Sequence, residues 1–234
     1  MKISICIPTF NRNNLLFESF AKVIDDDRVG EVIIVDDASK EDVFEAVKSR
    51  CINYPKVRLF RQPKNVGVYE NKAAAVSKAS NEYCIIFDSD NVLDIDYLDK
   101  IYSVKWSAHT ILAPDFAKPV FDYRKFGGIT MNKINVAQYS FEPGFDCLAN
   151  THNFFVNKDA YLSAWEQHTN ILGADSIYFL YLWLLAGNDF HVLKGLEYFH
   201  RVGDKTEQKS NYVTFAEKSA PICEKIRKQI SLMR

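Results

Sequence analysis

The sequence predicts an α/β protein built on a doubly wound, mostly parallel sheet, and two observations predict it. Between residues 2 and 91, four apolar runs alternate with three segments of helical spacing, an order that right-handed crossovers turn into a parallel sheet. Each run also stops at a cluster of polar residues, and open sheets of this kind bind ligands at the carboxyl ends of their strands.

Lys2 to Ile7 reads as the first strand, ended by Pro8. The polar loop from Thr9 to Asn14 supplies helix-capping residues, and Leu15, Leu16, Phe20, Val23 and Ile24 follow at helical spacing. Gly30 precedes a second buried strand, Glu31 to Val35, which stops at Asp36-Asp37-Ala38-Ser39 before a helix from Glu41 to Arg50. Val57 to Arg61 is a third strand, and the turn-rich Pro63-Lys64-Asn65-Val66-Gly67 leads into an alanine-rich helix from Val68 to Ser80. The fourth strand, Tyr83 to Phe87, delivers Asp88-Ser89-Asp90-Asn91 to the sheet edge.

Beyond Asn91 the expected elements are a helix from Asp94 to Ser107, a short strand from Thr110 to Ala113 and an irregular stretch from Pro114 to Leu148. A strand from Asn153 to Val156 and a helix from Lys158 to Gln167 follow. Asp175 to Ala186 reads as an apolar helix capped by Asp175 and stopped by Gly187, and Phe190 to Leu193 as a last strand. Near the end, Ile222, Ile226, Ile230 and Met233 form an apolar stripe beside Lys225, Arg227 and Lys228. This stripe either packs on the domain or lies on a membrane surface.

The chain has 234 residues, 47% hydrophobic and 25% charged, enough for one sizeable core. With 29 basic residues against 30 acidic, the balance argues against a general nucleic-acid binder. Five scattered cysteines without a Cys-x-x-Cys pair indicate neither a disulfide framework nor a zinc site. The first strand starts at Ile3 and leaves no room for a signal peptide, and no apolar segment is long enough to span a bilayer. The sequence thus points to the cytoplasm, with the C-terminal stripe as the one route to the inner face of a membrane.

In extended backbone, residues two apart share a side, so Asp88 and Asp90 can converge on one hard cation that also binds a diphosphate. Asp, Ser and Asn are equally the commonest turn residues, so the pair alone reads as a loop. What favours a site is company: Thr9 to Asn11, Asp36 to Ser39 and Arg61 to Gly67 fall at the same edge.

Ser4-Ile5-Cys6-Ile7-Pro8-Thr9-Phe10-Asn11-Arg12, Val32 to Ser39, Asn65-Val66-Gly67 and Phe87-Asp88-Ser89-Asp90 together resemble family 2 glycosyltransferases of the GT-A fold, in order and in spacing. The resemblance is specific over residues 3 to 91. It thins afterwards and resumes at Asn153 to Lys158, at Gly173-Ala174-Asp175, at Leu184 to Gly187 and at His200-Arg201. It implies one GT-A domain, 1–234, with a nucleotide-binding half (1–91), an acceptor-side half (92–205) and a C-terminal helical segment (206–234). The implied activity is metal-dependent, inverting transfer of a sugar from a nucleotide-diphospho-sugar, most simply a UDP-sugar. The acceptor would be a glycan or lipid-linked hydroxyl, in polysaccharide or glycoconjugate biosynthesis.

By the same resemblance Asp175 is the base, and Pro8, Thr9, Asn11, Asp37, Asn65, Gly67, Lys72, Asp88 and Ser89 meet the nucleotide; Arg61 and Lys64 join them only by their place beside the ligand edge, and read otherwise as solvated surface charges. Asp90, Asp88 and His200 are then the candidates to hold Mn2+ or Mg2+. Two departures stand out: Ala174 replaces the acidic residue common before the base, and Lys72 replaces an arginine, a point charge for a planar fork. Two other readings stay open. A sugar-nucleotide pyrophosphorylase shares this kind of sheet, although the loop from Pro8 to Arg12 lacks the glycines of that class. A non-catalytic nucleotide- or glycan-binding module would tolerate Ala174.

Overall fold

A computed structural model describes residues 1–168, 171, 173–201 and 209–233, with side chains in the last segment from residue 219 onward. Its first half follows the sequence pattern. Strands β1 (Ile3–Thr9), β2 (Val29–Asp36), β3 (Val57–Arg61) and β4 (Tyr83–Ile86) alternate with helices α1 (Asn14–Phe20), α2 (Glu41–Cys51) and α3 (Val68–Ser77). All seven residues of β1 and all four of β4 are buried, as a strand covered on both faces requires.

The second half adds α4 (Ile95–Tyr102), β5 (Thr110–Lys118), β6 (Phe121–Asp122), β7 (Thr130–Met131), α5 (Phe145–Ala149), β8 (Phe155–Asn157), α6 (Lys158–Ala164), α7 (Asp175–Leu185), β9 (Asp189–Phe199) and α8 (Lys209–Ser231). One sheet runs β3-β2-β1-β4-β8-β5-β9-β7, with β6 paired to β5. Within it β3, β2, β1 and β4 are parallel, β8 is antiparallel to both of its neighbours, and β9 is parallel to β5. The chain moves from β1 outward to β3 and then crosses to β4 on the other side of β1. The crevice for a ligand therefore opens above β1 and β4.

Several boundaries differ from the sequence reading, each for a local reason. β5 runs five residues past Ala113, through Pro114. The register against β9 shifts between Pro114 and Phe116, and there Gly195, at φ +79°, donates its N–H to Asp115 Oδ2 at 2.8 Å. A bulge thus absorbs a proline and a glycine that otherwise read as strand breakers. Helix α4 stops at Tyr102 rather than Ser107, because the Trp106 indole N–H takes the Ile101 carbonyl at 2.7 Å and turns the chain back. Helix α6 stops at Ala164, and α7 begins at Asp175 with Ala174 as its N-cap and no side-chain cap.

The C-terminal stripe packs on the domain. Ile226 and Ile230 are buried, Ile222 and Met233 are half-buried against the core, and α8 lies along α7. Of the two readings of this face, packing on the domain is the one seen, and no helix among the described residues is long and apolar enough to cross a membrane. The boundary expected between residues 205 and 206 lies outside the described residues.

Ile230 is fully buried, so Ile230→Ala should cost about 2–4 kcal/mol in a denaturant titration. A cost below about 1 kcal/mol would mean that the stripe leaves the domain in solution.

Candidate functional site

A cleft of about 1280 Å³ opens over the carboxyl ends of β1 and β4. Of the residues expected to bind nucleotide or metal, Pro8, Thr9, Asp37, Lys64, Asn65, Gly67, Lys72, Asp88, Ser89, Asp90 and His200 line it, together with the expected base, Asp175. Asn11 and Arg61 do not. The backbone N–H of Asn11 goes to Ser39 Oγ at 2.7 Å and its side-chain oxygen accepts from the Lys40 N–H at 3.0 Å. Its φ of +50°, which asparagine tolerates, turns it onto the β2 loop. Arg61 reaches outward to Glu41 Oε2 (2.7 Å) and the Ser39 carbonyl (2.8 Å), and lies over the Phe44 ring. The carboxylate at the start of α2 takes the charge that the sequence reading assigned to a ligand.

Asp36 and Asp37 divide their work. Asp36 accepts from the backbone N–H and the hydroxyl of Ser39, closing the turn before α2. Asp37 crosses to the next loop and accepts the N–H groups of Val66 (2.7 Å) and Gly67 (2.9 Å). Burial pushes its pKa up, although those two bonds oppose the shift. Gly67 sits at φ +89° with open space where a Cβ would be, so the left-handed backbone alone calls for glycine.

The cleft floor is a charged cluster. Lys72, 3% exposed, places its ammonium 2.9 Å from Asp175 Oδ2 and 3.4 Å from Asp88 Oδ1. Burial works against this ammonium, but the charges of Asp175 and Asp88 outweigh it and raise its pKa. Burial likewise works against both carboxylates, yet Lys72 holds Asp175 and Asp88 below the usual range. The Asp175 side chain is therefore spent on the ion pair rather than on capping α7, which corrects the cap expected from sequence.

Asp88 is fixed from a second side: Asn153 accepts its N–H at 2.8 Å and donates to its Oδ2 at 2.9 Å. Asp90 is paired through Oδ2 with Arg12 Nη1 at 2.8 Å. The His200 ring packs edge-on against Phe121, and burial lowers its pKa while Asp90 and Asp88 oppose that. Among the described residues no three His, Cys, Asp or Glu side chains converge closely enough to hold a metal. The expected set of Asp90, Asp88 and His200 is thus not preassembled, and Asp90 pairs with Arg12 and Asp88 with Lys72 instead.

Sequence reasoning missed Arg12 as the partner of Asp90, and it missed His152, Asn153 and Ser176. The three polar residues Thr151-His152-Asn153 are all buried, and they precede an apolar run as ligands do at the entry of a strand. Only the antiparallel sense of β8 puts that entry beside the end of β4. Two other acceptor-side carboxylates, Asp146 and Glu166, are the alternatives to Asp175 as base; Asp146 is bound to Arg227 at 2.8 Å and lies off the cleft lining. Glu166 contributes its backbone carbonyl to the Tyr69 hydroxyl.

Sheet order and cleft place the molecule in the GT-A class. Staphylococcus aureus TarS (residues 1–349), solved in complex with UDP-GlcNAc, superposes with TM-score 0.68 over 99% of this chain and 70% of that one at 16% identity. Mannosyltransferase PcManGT of Pyrobaculum calidifontis, in complex with GDP-Man and Mn2+, gives 0.63 over 98% and 69% at 14% identity. In sequence, the profile of glycosyl transferase family 2 matches residues 4–106. An N-acetylglucosaminyltransferase of Bradyrhizobium sp. is 31% identical over 103 residues, 42% of this chain and 67% of that protein. The abequosyltransferase RfbV of Salmonella typhimurium is 35% identical over 102 residues, 42% and 31%. The chain belongs to glycosyltransferase family 2. It spans 58% of the N-acetylglucosaminyltransferase of Bradyrhizobium elkanii and 31% of RfbV.

Because Asp88 and Asp175 titrate below the unfolded value of about 3.9, their pairing stabilises the fold above that pH. The contribution fades as pH falls through their folded values. Lys72→Met should therefore cost about 3 kcal/mol or more at pH 7, since it leaves the buried Asp175 and the partly buried Asp88 without their cation. The gap to the parent should narrow at pH 3 in urea titrations. A gap unchanged between the two pH values would show that the ammonium does not pair with these carboxylates in solution.

Proposed function

We propose that the chain transfers the sugar of a nucleotide-diphospho-sugar, with inversion, to a hydroxyl of a glycan or lipid-linked acceptor. The observation that carries this reading is the carboxylate of Asp175: it is kept ionised by Lys72 at the floor of the cleft, 2.9 Å away, on the same ammonium that touches Asp88. TarS with UDP-GlcNAc and PcManGT with GDP-Man support the donor class.

In the proposed step the acceptor oxygen attacks the anomeric carbon from the face opposite the leaving group. Its bond to that carbon forms as the bond to the phosphate oxygen breaks. The hydroxyl proton passes to Asp175, and the nucleoside diphosphate leaves. One base suffices, so the step does not call for a second acid at position 174, where this chain has alanine. Thr9, Asp37 and the Asn65 to Gly67 turn would hold the nucleoside end, where Asp37 fixes the turn through two backbone N–H groups.

Asp90 and Asp88 suit Mn2+ or Mg2+ in donor chemistry, as hard oxygens at one strand end, and such ions commonly take one or two carboxylates plus phosphate oxygens. The bound ion would offset charge on the leaving diphosphate. Arg12 uses Oδ2 of Asp90, so Asp90 would have to share or exchange that partner. His200, a softer donor, is the weaker candidate of the three.

Screening UDP- and GDP-sugars for thermal stabilisation with Mn2+, and then for release of nucleoside diphosphate, tests the reading. Asp175→Asn should lower kcat about a hundredfold or more while nucleotide affinity stays within a few-fold. Asp90→Asn should weaken Mn2+ binding measured by calorimetry. Nucleotide binding without turnover in the parent would favour the binding-module reading. Turnover retained in Asp175→Asn would place the base elsewhere.

A further inference from the structure

Among the described residues, every protein partner of the Asp175 carboxylate sits on one oxygen. Lys72 Nζ lies 2.9 Å from Oδ2, Ser176 Oγ 3.5 Å and His152 Nδ1 3.7 Å. Oδ1 has no protein partner among the described residues, and Asp175 lines the cleft.

Behind Oδ2 the contacts continue inward. His152 is buried, with Nδ1 3.1 Å from Ser176 Oγ and Nε2 3.4 Å from the Tyr161 hydroxyl. Its ring is stacked on Phe154 with centroids 4.7 Å apart. Each hydroxyl has one proton to give, and a carboxylate beside Nδ1 selects the tautomer that carries hydrogen there. With hydrogen on Nδ1, Tyr161 donates to Nε2, Nδ1–H donates to Ser176, and Ser176 is left to donate toward Oδ2. All three bonds point at the carboxylate and reinforce one another.

The geometry points to His152 as a positioning residue for the transfer reaction. Through Ser176 it fixes Oδ2 and so leaves Oδ1 alone to face the acceptor hydroxyl. In this scheme Asp175 is the group that meets the acceptor hydroxyl. His152 acts through it, setting the carboxylate torsion that aims the free oxygen. The aromatic stack on Phe154 keeps the imidazole plane in the orientation the relay needs, and Phe179 adds a second ring at 5.5 Å. An unsupported carboxylate could rotate either oxygen toward Lys72. A misaimed base costs rate without costing donor affinity.

This rests on the reading of Asp175 as the base, and a double-mutant cycle separates the two claims. The measurements are UDP and GDP affinity by calorimetry, and kcat and KM for whichever of UDP-GlcNAc and GDP-Man the chain turns over faster. His152→Phe keeps an aromatic ring against Phe154 and removes the bond to Ser176, and Ser176→Ala removes the middle of the chain. Each should lower kcat about tenfold to a hundredfold with nucleotide affinity and donor KM within a few-fold. Each should have little further effect in the Asp175→Asn background. Equal losses in both backgrounds, or kcat within twofold of the parent in either single variant, would overturn the inference. Should His152→Phe fail to fold, Ser176→Ala decides alone. An Asp175→Asn variant with parental turnover would instead remove the base reading, and this inference with it.

Discussion

The floor of the cleft depends on one ammonium. Lys72 stands on the covered side of α3 among Ala73, Ala75 and Val76, whose small side chains bring the helix close to β1 and β2. Its long stem carries a charge into a place where burial opposes it, and two carboxylates from distant parts of the chain make that charge tolerable. Asp88 ends a strand and Asp175 begins a helix about ninety residues later, so the ion pair fastens the two halves of the molecule together. An arginine would present a planar fork suited to one bidentate carboxylate, whereas a point charge can be divided between two. The substitution that looks like a departure from the family pattern thus suits a floor built of two separate acids.

Much of the first half could be read directly from the chain. Val57–Arg61 coincides with the expected third strand, and β1, β2, α2 and β4 differ from expectation only at their ends. These elements are covered on both faces or punctuated by Pro8, Gly67 and the Asp36-Asp37 pair, so local pattern and tertiary environment agree. The acceptor side was harder to read. Pro114 and Gly195 look like breaks until the bulge between β5 and β9 is seen, and Thr151 to Asn153 look like a polar lead-in until β8 is found to run backwards. For the site, position was legible and partnership was not. Sequence showed that Arg61 and Asn11 lie at the correct edge. It could not show that Glu41 and Ser39 already engage them.

The rim of the cleft is held by the protein's own bonds. Asn11 ties the first loop to the second, and Asp37 ties the second to the third through paired backbone N–H groups. Arg12 reaches from the first loop to Ser89 and Asp90 after β4. The four strand ends are therefore linked in sequence around the opening. Ordering them costs conformational entropy during folding rather than at the moment of binding, which favours tight association with a rigid partner.

The reversed strand has a consequence for how such proteins diversify. β8 is three residues long, pairs with β4 over Tyr83 to Ile85, and meets β5 at a single residue pair, Leu112 with Phe155. The sheet is thus continuous but has a narrow waist, with the nucleotide strands on one side and β5, β9 and β7 on the other. A lineage could exchange the material between Val92 and Asn150 for another segment without disturbing the register of the first four strands, provided the entry to β8 still arrives beside Asp88. The family profile, which matches residues 4–106, covers the four parallel strands and α4 and ends before β5.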